Sequence, residues 1–491
     1  MQTPPAAMLI SALLSLATFE CRADDGPIDL ATRRELLVDH YLIDRLDGVR
    51  LELNQPRDEG VALKFDLPWE GPFCGYATIL HYDDRYRVYY RGKAQSAADG
   101  TGGEVYCVAD SDDGIHWTRP ELDLFPQPGY PTTNIVLTEA PFTHNFSPLL
   151  DTRPGVPAAE RFKALGGIMS SGLVAFVSAD GLSWKKLRAE PVLTKQDVPF
   201  PYMFDSQNLA FWSTAEGCYV CYFRVFKDGI RRICRSTSDD FLNWSPPVLM
   251  EYRRPEGPVP LQHLYTNQTH PYFRAPHLYI STAARFMPGR QVLSDDQAAA
   301  IQVDPKYFKD TSDAVLMTTR GGNYYDRTFM SSFVRPGIGA RNWVSRTNYP
   351  ALNVVPTGDT EMSVYLNQDY AQPTAHLHRY SLRLDGFASA RGEFGAGHWL
   401  TTKPVRFAGD RLSLNFATSA AGAIRVEILD ADARPIPGYT LKDCHEVIGN
   451  EIDRAVRWKQ GDDVSSLAGK TVRLKFELND ANLYAFQFQQ R

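Results

Sequence analysis

The sequence predicts an all-β protein, a five-bladed β-propeller followed by a β-sandwich, and three observations support this fold class. A short motif, Ser-x-Asp-Gly-x-x-Trp, recurs along the chain, and a strand-like run precedes each copy. Aromatic residues make up 12% of the 491 residues, which is typical of β-rich folds. Beyond about residue 402 the pattern changes to short alternating strands of the kind found in sandwiches.

The motif lies at residues 111–117 (SDDGIHW), 178–184 (SADGLSW) and 238–244 (SDDFLNW), with a weaker copy at 319–325 (TRGGNYY). Asp-Gly favours a tight turn, because glycine accepts positive φ and the carboxylate accepts hydrogen bonds from nearby amides. The serine can cap that turn, and the tryptophan opens the next strand. Successive aspartates are 67 and 60 residues apart, which fits one four-stranded blade with its connection. We therefore predict structural roles for Asp113, Asp180 and Asp240.

Charge and hydropathy limit the partners and the location of the protein. The net charge of −6 argues against nucleic acid or an anionic membrane as the main partner. Residues 8–19 are apolar and uncharged, and Cys21-Arg22-Ala23 offers a cleavage site, so residues 1–23 are a predicted signal peptide. No later segment is long and apolar enough for membrane insertion. We predict a secreted or periplasmic protein; its oligomeric state is not indicated.

Six cysteines follow the predicted cleavage site, and an oxidising compartment would permit disulfides. Cys221 and Cys234 lie on two predicted strands joined by a turn at 227–229. A disulfide between them and buried free thiols both fit this placement. The cysteine spacing does not match a zinc site.

Strand patterns divide residues 24–390 into five predicted blades. Two early strands, at 36–43 and 49–54, are expected to complete the last blade and close the ring. An insertion in blade four, residues 295–307, has a helical pattern. The glycine-rich segment 392–397 marks the boundary to a β-sandwich over residues 391–491.

Three stretches carry a resemblance: residues 34–43 (RELLVDHYLI), 68–72 (PWEGP) and 264–272 (LYTNQTHPY). They resemble those of exported, mostly uncharacterised propeller proteins of planctomycete type. With five blades, an export signal and a trailing sandwich, the chain also resembles the five-bladed enzymes of glycoside hydrolase families 32 and 43. This resemblance implies a funnel at the propeller axis with three carboxylates. One would protonate the leaving oxygen, another would attack or activate water, and a third would tune a pKa or hold the sugar.

The motifs Asn-Asp-Pro-Asn, Arg-Asp-Pro and Glu-Cys-Pro of those families are absent, so catalytic candidates follow from position alone. Glu70 precedes the predicted inner strand of blade one, Asp205 precedes that of blade three, and Glu361 begins that of blade five. We predict Glu70 as the acid and Asp205 or Glu361 as nucleophile or base. The alternatives are a surface carboxylate for Glu70, a turn cap for Asp205 and a salt bridge for Glu361.

Polar and aromatic side chains near the same strand starts are expected to bind the substrate, because sugar hydroxyls need both donors and acceptors. A tryptophan could stack on a sugar ring, and arginines could bind an acidic or sulfated group. Packing, turn hydrogen bonds and inter-blade salt bridges are the alternatives. The predicted substrate-binding residues are Trp69, His144, Asn145, Gln207, Asn208, Asn267, Gln268, His270, Arg285 and Arg327.

These observations predict an exported glycoside hydrolase acting on a polysaccharide or oligosaccharide. A non-catalytic carbohydrate-binding propeller is the alternative, because fold alone does not decide between them. We predict no cofactor and no catalytic metal. Clustered Asp and Asn oxygens at the axis would suit a structural calcium ion, although the sequence shows no ligand pattern for one.

Overall fold

A computed structural model describes residues 26–491 and confirms the all-β fold class. The predicted signal peptide, residues 1–23, lies outside the described residues. Five small sheets surround one axis as propeller blades, and a larger sheet gathers the C-terminal strands. Within residues 26–491, no helix has the length and apolar character that a membrane crossing requires.

The first three blades are four-stranded antiparallel sheets in simple chain order, with the first strand nearest the axis. Blade one contains Gly75–Tyr82, Arg85–Lys93, Glu104–Ser111 and Ile135–Leu137. Blade two contains Ser147–Leu150, Phe162–Gly166, Val174–Ser178 and Lys185–Lys186. Blade three contains Leu209–Ser213, Cys218–Lys227, Ile230–Ser238 and Val248–Leu249.

The last two blades have interrupted inner strands and borrowed outer strands. In blade four, His263–Leu264 and Thr269–Tyr272 both pair with Ala275–Met287, followed by Thr311–Thr319, Tyr324–Asp326 and the parallel Glu251–Arg253. In blade five, Tyr349–Pro350 and Val355–Pro356 both pair with Glu361–Gln368, followed by His376–Arg383 and Arg57–Lys64.

Closure of the ring differs from the prediction. Arg57–Lys64, and not the stretches at 36–43 and 49–54, supplies the outermost strand of blade five by pairing with His376–Arg383. On the inner side, Ile79 donates its backbone N–H to the carbonyl oxygen of Leu352, so blade five adjoins blade one. The ring is therefore closed by an early strand added to the last blade.

The innermost strand of blade five was also predicted wrongly. Glu361–Gln368 is the second strand, because it pairs on its inner side with the two short segments around residues 349–356. Two prolines and the positive φ of Asn353 (74°) interrupt that inner strand, which hides its alternating pattern.

The C-terminal strands enclose a separate apolar core that includes Trp458, Phe476 and Phe486. Two long strands, Arg411–Leu429 and Arg473–Gln489, pair with each other and shift register between Thr418 and Ala423. The other strands of this sheet are Arg34–Leu36, Ile43–Asp47, Val49–Leu53, Ala388–Gly392, Trp399–Thr402 and Asn450–Ala455, and Ile28–Ala31 pairs with Val405–Phe407. Residues 34–53 thus join the predicted sandwich, whose boundary at 390/391 stays a prediction.

Helical segments are few. The α-helix Asp295–Ala300 begins at a capping box formed by Ser294 and Gln297, and it is shorter than the predicted 295–307. Three 3₁₀ segments, Phe142–His144, Ala158–Glu160 and Ser465–Leu467, complete the helical content of the described chain.

Six cysteines in the described residues are free thiols. Cys221 lies opposite Ser236, and Cys234 lies opposite Phe223, so the two cysteines are offset along the ladder and are not paired. Cys221 and Cys234 are therefore buried free thiols, the second of the two alternatives given above.

The repeated motif has the predicted structural role. Asp113 Oδ1 accepts hydrogen bonds from the N–H groups of Ile115 and His116 at 2.7 and 2.8 Å, and Ser111 Oγ accepts from Gly114 N–H at 2.9 Å. The corresponding bonds recur at Asp180 and Asp240. Each copy holds the connection from the third to the outer strand of a blade.

Candidate active site at the propeller axis

A buried polar belt crosses the propeller axis and joins the inner segments of all five blades. Gln207 Nε2 donates to Thr78 Oγ1 at 2.7 Å and approaches Ser147 Oγ at 3.4 Å. Gln268 Nε2 donates to Gln207 Oε1 and to the Pro350 carbonyl oxygen, both at 2.8 Å. The belt separates a cleft where the inner strands begin from an apolar channel where they end.

The cleft narrows to a space of about 20 Å³ between its side chains, which is room for about one water molecule. The cleft is aromatic and cationic in character. Its lining residues are Gly75, Tyr76, Arg91, Asp99, His144, Tyr265, Arg346, Tyr349, Asn367 and Tyr370.

Three titratable side chains from three blades meet in the cleft. One ligand-type atom each from Asp99, His144 and Asp205 lies within 4.8 Å of the others. Asp99 belongs to the loop between the second and third strands of blade one, His144 ends a 3₁₀ segment before blade two, and Asp205 precedes the inner strand of blade three. They converge because the inner strands of a propeller all begin on the same side of the ring.

The imidazole of His144 is fixed from behind by Glu104. His144 Nδ1 lies 3.1 and 3.2 Å from the two carboxylate oxygens of Glu104, and Lys93 Nζ lies 2.5 Å from Oε1. Burial opposes ionisation of Glu104, yet the hydrogen bond from His144 and the charges of Arg91 and Lys93 lower its pKa to about 2. An ionised Glu104 keeps the proton on Nδ1 and directs Nε2 into the cleft.

His144 Nε2 is buried, has no hydrogen-bond partner among the described residues, and lies 3.8 Å from Asp99 Oδ2. Burial raises the pKa of Asp99, but His144, a hydrogen bond with Asp205 and the positive charges of Arg346 and Arg91 lower it further, so the net shift is downward. Both aspartates are accessible, with side chains 42% and 41% exposed.

The same three side chains fit a divalent metal ion. An imidazole whose second nitrogen is bonded to a carboxylate is a common metal ligand, and Glu104 supplies that carboxylate. Two aspartates and one histidine suit Zn²⁺ or Mn²⁺, whereas Ca²⁺ favours oxygen ligands alone. The predicted structural calcium ion stays untested.

Asp205 and His144 are the two sequence-predicted residues that the structure brings together. Asp205 forms an ion pair with Arg224, whose side chain is buried and whose Nε and Nη1 have no other partner in the described chain. The expected turn-cap alternative for Asp205 does not describe this geometry, because its carboxylate faces the cleft.

Glu70 lies outside the cleft. Its side chain is fully buried and accepts hydrogen bonds from Arg119 Nε at 2.9 Å, Arg119 Nη2 at 2.8 Å, the Tyr90 hydroxyl and the Leu67 N–H at 3.1 Å. Its position before the inner strand is as predicted, but the side chain turns into the blade. Glu70 is therefore a buried structural ion pair and neither a cleft residue nor a surface carboxylate.

Glu361 lies at the opposite end of blade five. Asn367, on the same strand, pairs with Tyr349 at the cleft, and Glu361 is six residues further along, about 20 Å at the rise of a β-strand. Glu361 forms ion pairs with Arg57 at 3.0 Å and with Arg379. Glu361 borders a different cavity of about 830 Å³ between blade five and the C-terminal sheet. Its carboxylate therefore serves in salt bridges, as the alternative to a catalytic role proposed.

Three further candidates contribute to packing. Trp69 is 9% exposed and donates Nε1–H to Asn134 Oδ1 at 2.8 Å. Asn145 donates to the Phe204 carbonyl oxygen at 2.7 Å and accepts from the N–H of Gly167, so its amide is satisfied between blades two and three. Asn208, also fully buried, donates to the same Phe204 carbonyl at 3.3 Å.

The candidates of blade four are likewise internal. Asn267 Oδ1 accepts from the Thr269 N–H at 3.1 Å. His270 Nε2 accepts from the Val354 N–H at 3.1 Å, and burial lowers the pKa of His270 to about 4, so its ring is neutral near pH 7. Gln207 and Gln268 form the polar belt described above.

The two candidate arginines are also engaged elsewhere. Arg285 forms a bidentate pair with Asp313, with distances of 2.8 and 2.6 Å. Arg327 is buried beside Gln262, and burial lowers its pKa to about 10. Neither side chain lines the cleft.

Sequence reasoning missed the charged groups that hold the cleft together. Asp99 lies in the ten-residue connection 94–103, whose glycines resemble an ordinary turn. The length of this connection is its one local signal, because a hairpin usually needs two to five residues. Arg91, Glu104 and Arg346 carry no local signal, since their roles depend on which blades become neighbours.

No family model matches this sequence, and no curated protein matches it. Solved structures with similarity include an N-acetylgalactosamine deacetylase from F. plautii, with 11% identity, a TM-score of 0.43 and coverage of 69% of this chain and 96% of that chain. A thermostable family-43 glycoside hydrolase has 13% identity, a TM-score of 0.38 and coverage of 64% and 91%. A fructofuranosidase from Schwanniomyces occidentalis has 11% identity, a TM-score of 0.36 and coverage of 89% of this chain and 99% of that chain. At these values the reaction is not decided by similarity.

Proposed function

We propose that this protein is a glycoside hydrolase whose carboxylate pair is Asp99 and Asp205. The observation that carries this proposal is the meeting of the two carboxyl groups, with oxygen atoms within 4.8 Å, at an aromatic cleft on the propeller axis. Hydrolysis of a glycosidic bond needs one carboxyl group as acid and another as nucleophile or base. Carboxyl oxygens this close favour retention of anomeric configuration, because inversion needs carboxyl groups about 6.5–9.5 Å apart.

The roles follow from the charges around Asp99. His144, Arg346 and Arg91 contribute to a lowered pKa of Asp99, which favours the carboxylate form that a nucleophile needs, and Asp205 is left as the acid. Asp205 would then protonate the glycosidic oxygen while the Asp99 carboxylate attacks the anomeric carbon. In the second step Asp205, now ionised, would take a proton from water as the glycosyl-Asp99 bond is hydrolysed.

Arg224 and Arg346 support this exchange of charge. Arg224 pairs with Asp205 and stabilises the carboxylate that forms when the acid gives up its proton. Arg346 lowers the pKa of Asp99 and so favours the ionised nucleophile. We propose export as the setting of this activity, on the N-terminal sequence described above.

The test is hydrolysis of a broad panel of plant and algal glycans by the purified protein and by single variants. Asp99→Asn and Asp205→Asn should each lower kcat about 10²- to 10⁴-fold, while Glu70→Gln and Glu361→Gln, matched carboxylate-to-amide controls, should retain activity. Proton NMR of the first product should show the retained anomer. Azide should restore turnover to Asp99→Ala as a glycosyl azide of inverted configuration. Full activity in both cleft variants would refute the assignment.

A second candidate is a metal-dependent hydrolase. The buried Nε2 of His144 favours it, because this atom has no hydrogen-bond partner in the described part of the chain and lies near two carboxylates. Asp99, His144 and Asp205 would hold the ion, which would supply an activated water. Calorimetry with Zn²⁺ and Mn²⁺ on the full chain, with His144→Asn as the variant, separates the two. Tight binding lost in the variant, with activity abolished by a chelator, would replace the carboxylate mechanism.

The carbohydrate-binding alternative has its own outcome in the same experiments. Glycan binding on an array without any release of sugar after long incubation would favour it. In that case Asp99→Asn and Asp205→Asn would change the affinity for the glycan, and neither the wild type nor the variants would hydrolyse it.

A further inference from the structure

Positive charge exceeds negative charge at the cleft, although the chain as a whole carries −6. Five cationic side chains, Arg91, Lys93, Arg224, Arg231 and Arg346, surround three carboxylates, those of Asp99, Glu104 and Asp205. Most buried arginines elsewhere in the propeller, with Arg327 as an exception, form an ion pair with a carboxylate, as Arg87 does with Asp110 and Arg235 with Glu216. The cleft therefore has an excess of two positive charges before His144 is counted.

Among residues 26–491, three of these arginines form no ion pair with a carboxylate; Arg91 instead donates to the carbonyl oxygen of Phe73, and the other two are Arg231 and Arg346. Arg346 lines the cleft, half-buried, with its guanidinium 5.1 Å from the ring centre of Tyr307 and 5.8 Å from that of Tyr265. Arg231 lies 5.0 Å from the ring centre of Tyr265 and 3.4 Å from His263 Nδ1, and its buried Nε has no partner. Both guanidinium groups thus lie beside the ring of Tyr265, which lines the cleft.

Backbone conformation at Arg346 supports a functional role. Arg346 and Asn348 both adopt positive φ, at 59° each, in the segment that leads into blade five. A non-glycine residue in this region costs free energy, and such residues concentrate at ligand-binding sites. Arg346, in this conformation, lines the cleft together with Asp99 and Tyr265.

We propose that the substrate is an anionic glycan, and that Arg346 and Arg231 bind its carboxylate or sulfate group beside Tyr265. The planar guanidinium can donate two parallel hydrogen bonds to either group, and the tyrosine ring offers a face to the sugar. This inference names the substrate class of the proposed cleft site and depends on that site for its location. It replaces the sequence-based assignment of such binding to Arg285 and Arg327.

Binding is measured by calorimetry on the Asp205→Asn protein, so that turnover does not interfere. The probes are a galacturonic acid oligomer against a neutral galactose oligomer of equal length, and a sulfated galactan oligomer against its desulfated form. The better anionic probe should bind at least tenfold more tightly than its neutral partner, and the pair that shows this difference identifies carboxylate or sulfate. Affinity should fall as salt increases.

Arg346→Gln and Arg231→Gln should each weaken the anionic probe about ten- to a hundredfold, the range of a lost charge-assisted hydrogen bond, and leave the neutral probe unchanged. Arg253→Gln, at an exposed ion pair with Asp326 away from the cleft, is the matched control. Wild-type circular dichroism spectra and an unchanged affinity for the neutral probe would exclude misfolding of these variants. Arg346→Lys should recover part of the affinity, because charge remains without the planar pair of donors.

The outcomes separate this inference from the proposed reaction. Equal affinity of the wild type for anionic and neutral probes would overturn the anionic substrate. Arginine variants that bind the anionic probe as tightly as the wild type would overturn it as well. In either case the protein could still hydrolyse a neutral glycan. Selective, arginine-dependent binding without hydrolysis in the wild type would uphold the anionic ligand and overturn the glycosidase.

Discussion

Replacement of Arg119 by methionine should destabilise the propeller by about 3–5 kcal/mol. Arg119 is the main counter-charge of Glu70, with two hydrogen bonds of 2.9 and 2.8 Å to its two oxygens. Glu70 is fully buried, so loss of the guanidinium leaves a carboxylate without solvent or an opposite charge. This free energy corresponds to roughly two to four powers of ten in the folding equilibrium.

The reciprocal variant, Glu70→Gln, should cost less. Arg119 is 23% exposed and keeps Asp66 Oδ1 as a partner at 3.1 Å, so its charge stays compensated. The double variant Glu70→Gln/Arg119→Met should be more stable than the sum of the single losses predicts, by about 2 kcal/mol or more. That coupling isolates the ion pair from the packing of either side chain.

The assay is urea unfolding followed by tryptophan fluorescence, with the change in midpoint and slope converted to free energy. A loss below 1 kcal/mol in Arg119→Met, or strictly additive single losses, would refute the reasoning from burial. Hydrolysis by folded Glu70→Gln provides an independent readout. Wild-type kcat would agree with a structural Glu70, whereas loss of turnover at full folding would return Glu70 to the catalytic site.

Three further outcomes are expected. Asp113→Ala should lower the free energy of unfolding by about 1–2 kcal/mol, because two backbone N–H groups lose their acceptor, whereas the adjacent Asp112→Ala should change it little; equal losses would contradict the turn role. Glu104 has a folded pKa of about 2 against a usual value of 4.5, so its ionised form stabilises the fold above about pH 4.5 by about 3 kcal/mol, and this contribution disappears as the pH falls toward 2. The difference in urea stability between wild type and Glu104→Gln should therefore shrink through that window, and a constant difference would be inconsistent with it. Gln207→Leu should cost about 1–3 kcal/mol in thermal unfolding, because the belt across the axis loses its central amide; an unchanged midpoint would show that the belt does not stabilise the ring.

Local signals allowed the architecture to be predicted well. The turn around Asp113 needs only its own serine, glycine and following amides, so the motif can be recognised within seven residues. The spacing of its copies then indicates the blade repeat. His144 and Asp205 were found because both directly precede inner strands of blades with regular patterns.

Non-local features were predicted poorly. The inner strand of blade five is short and interrupted at Asn353, so the prediction moved one strand outward. Neighbouring strands run in opposite directions, and this error therefore moved Glu361 from the far end of the blade to the cleft. Asp99 was missed because the three groups it meets come from blades two and three and from residues near 346.

The borrowed outer strand of blade five has a consequence during synthesis. Residues 57–64 leave the ribosome about three hundred positions before their partners at 376–383, roughly 15–60 s at usual elongation rates. Through that interval the strand has an open edge, and four of its eight residues are charged (RDEGVALK), which discourages association with other chains. A nascent chain arrested near residue 370 should be cleaved by protease within this segment, whereas the full-length protein should resist.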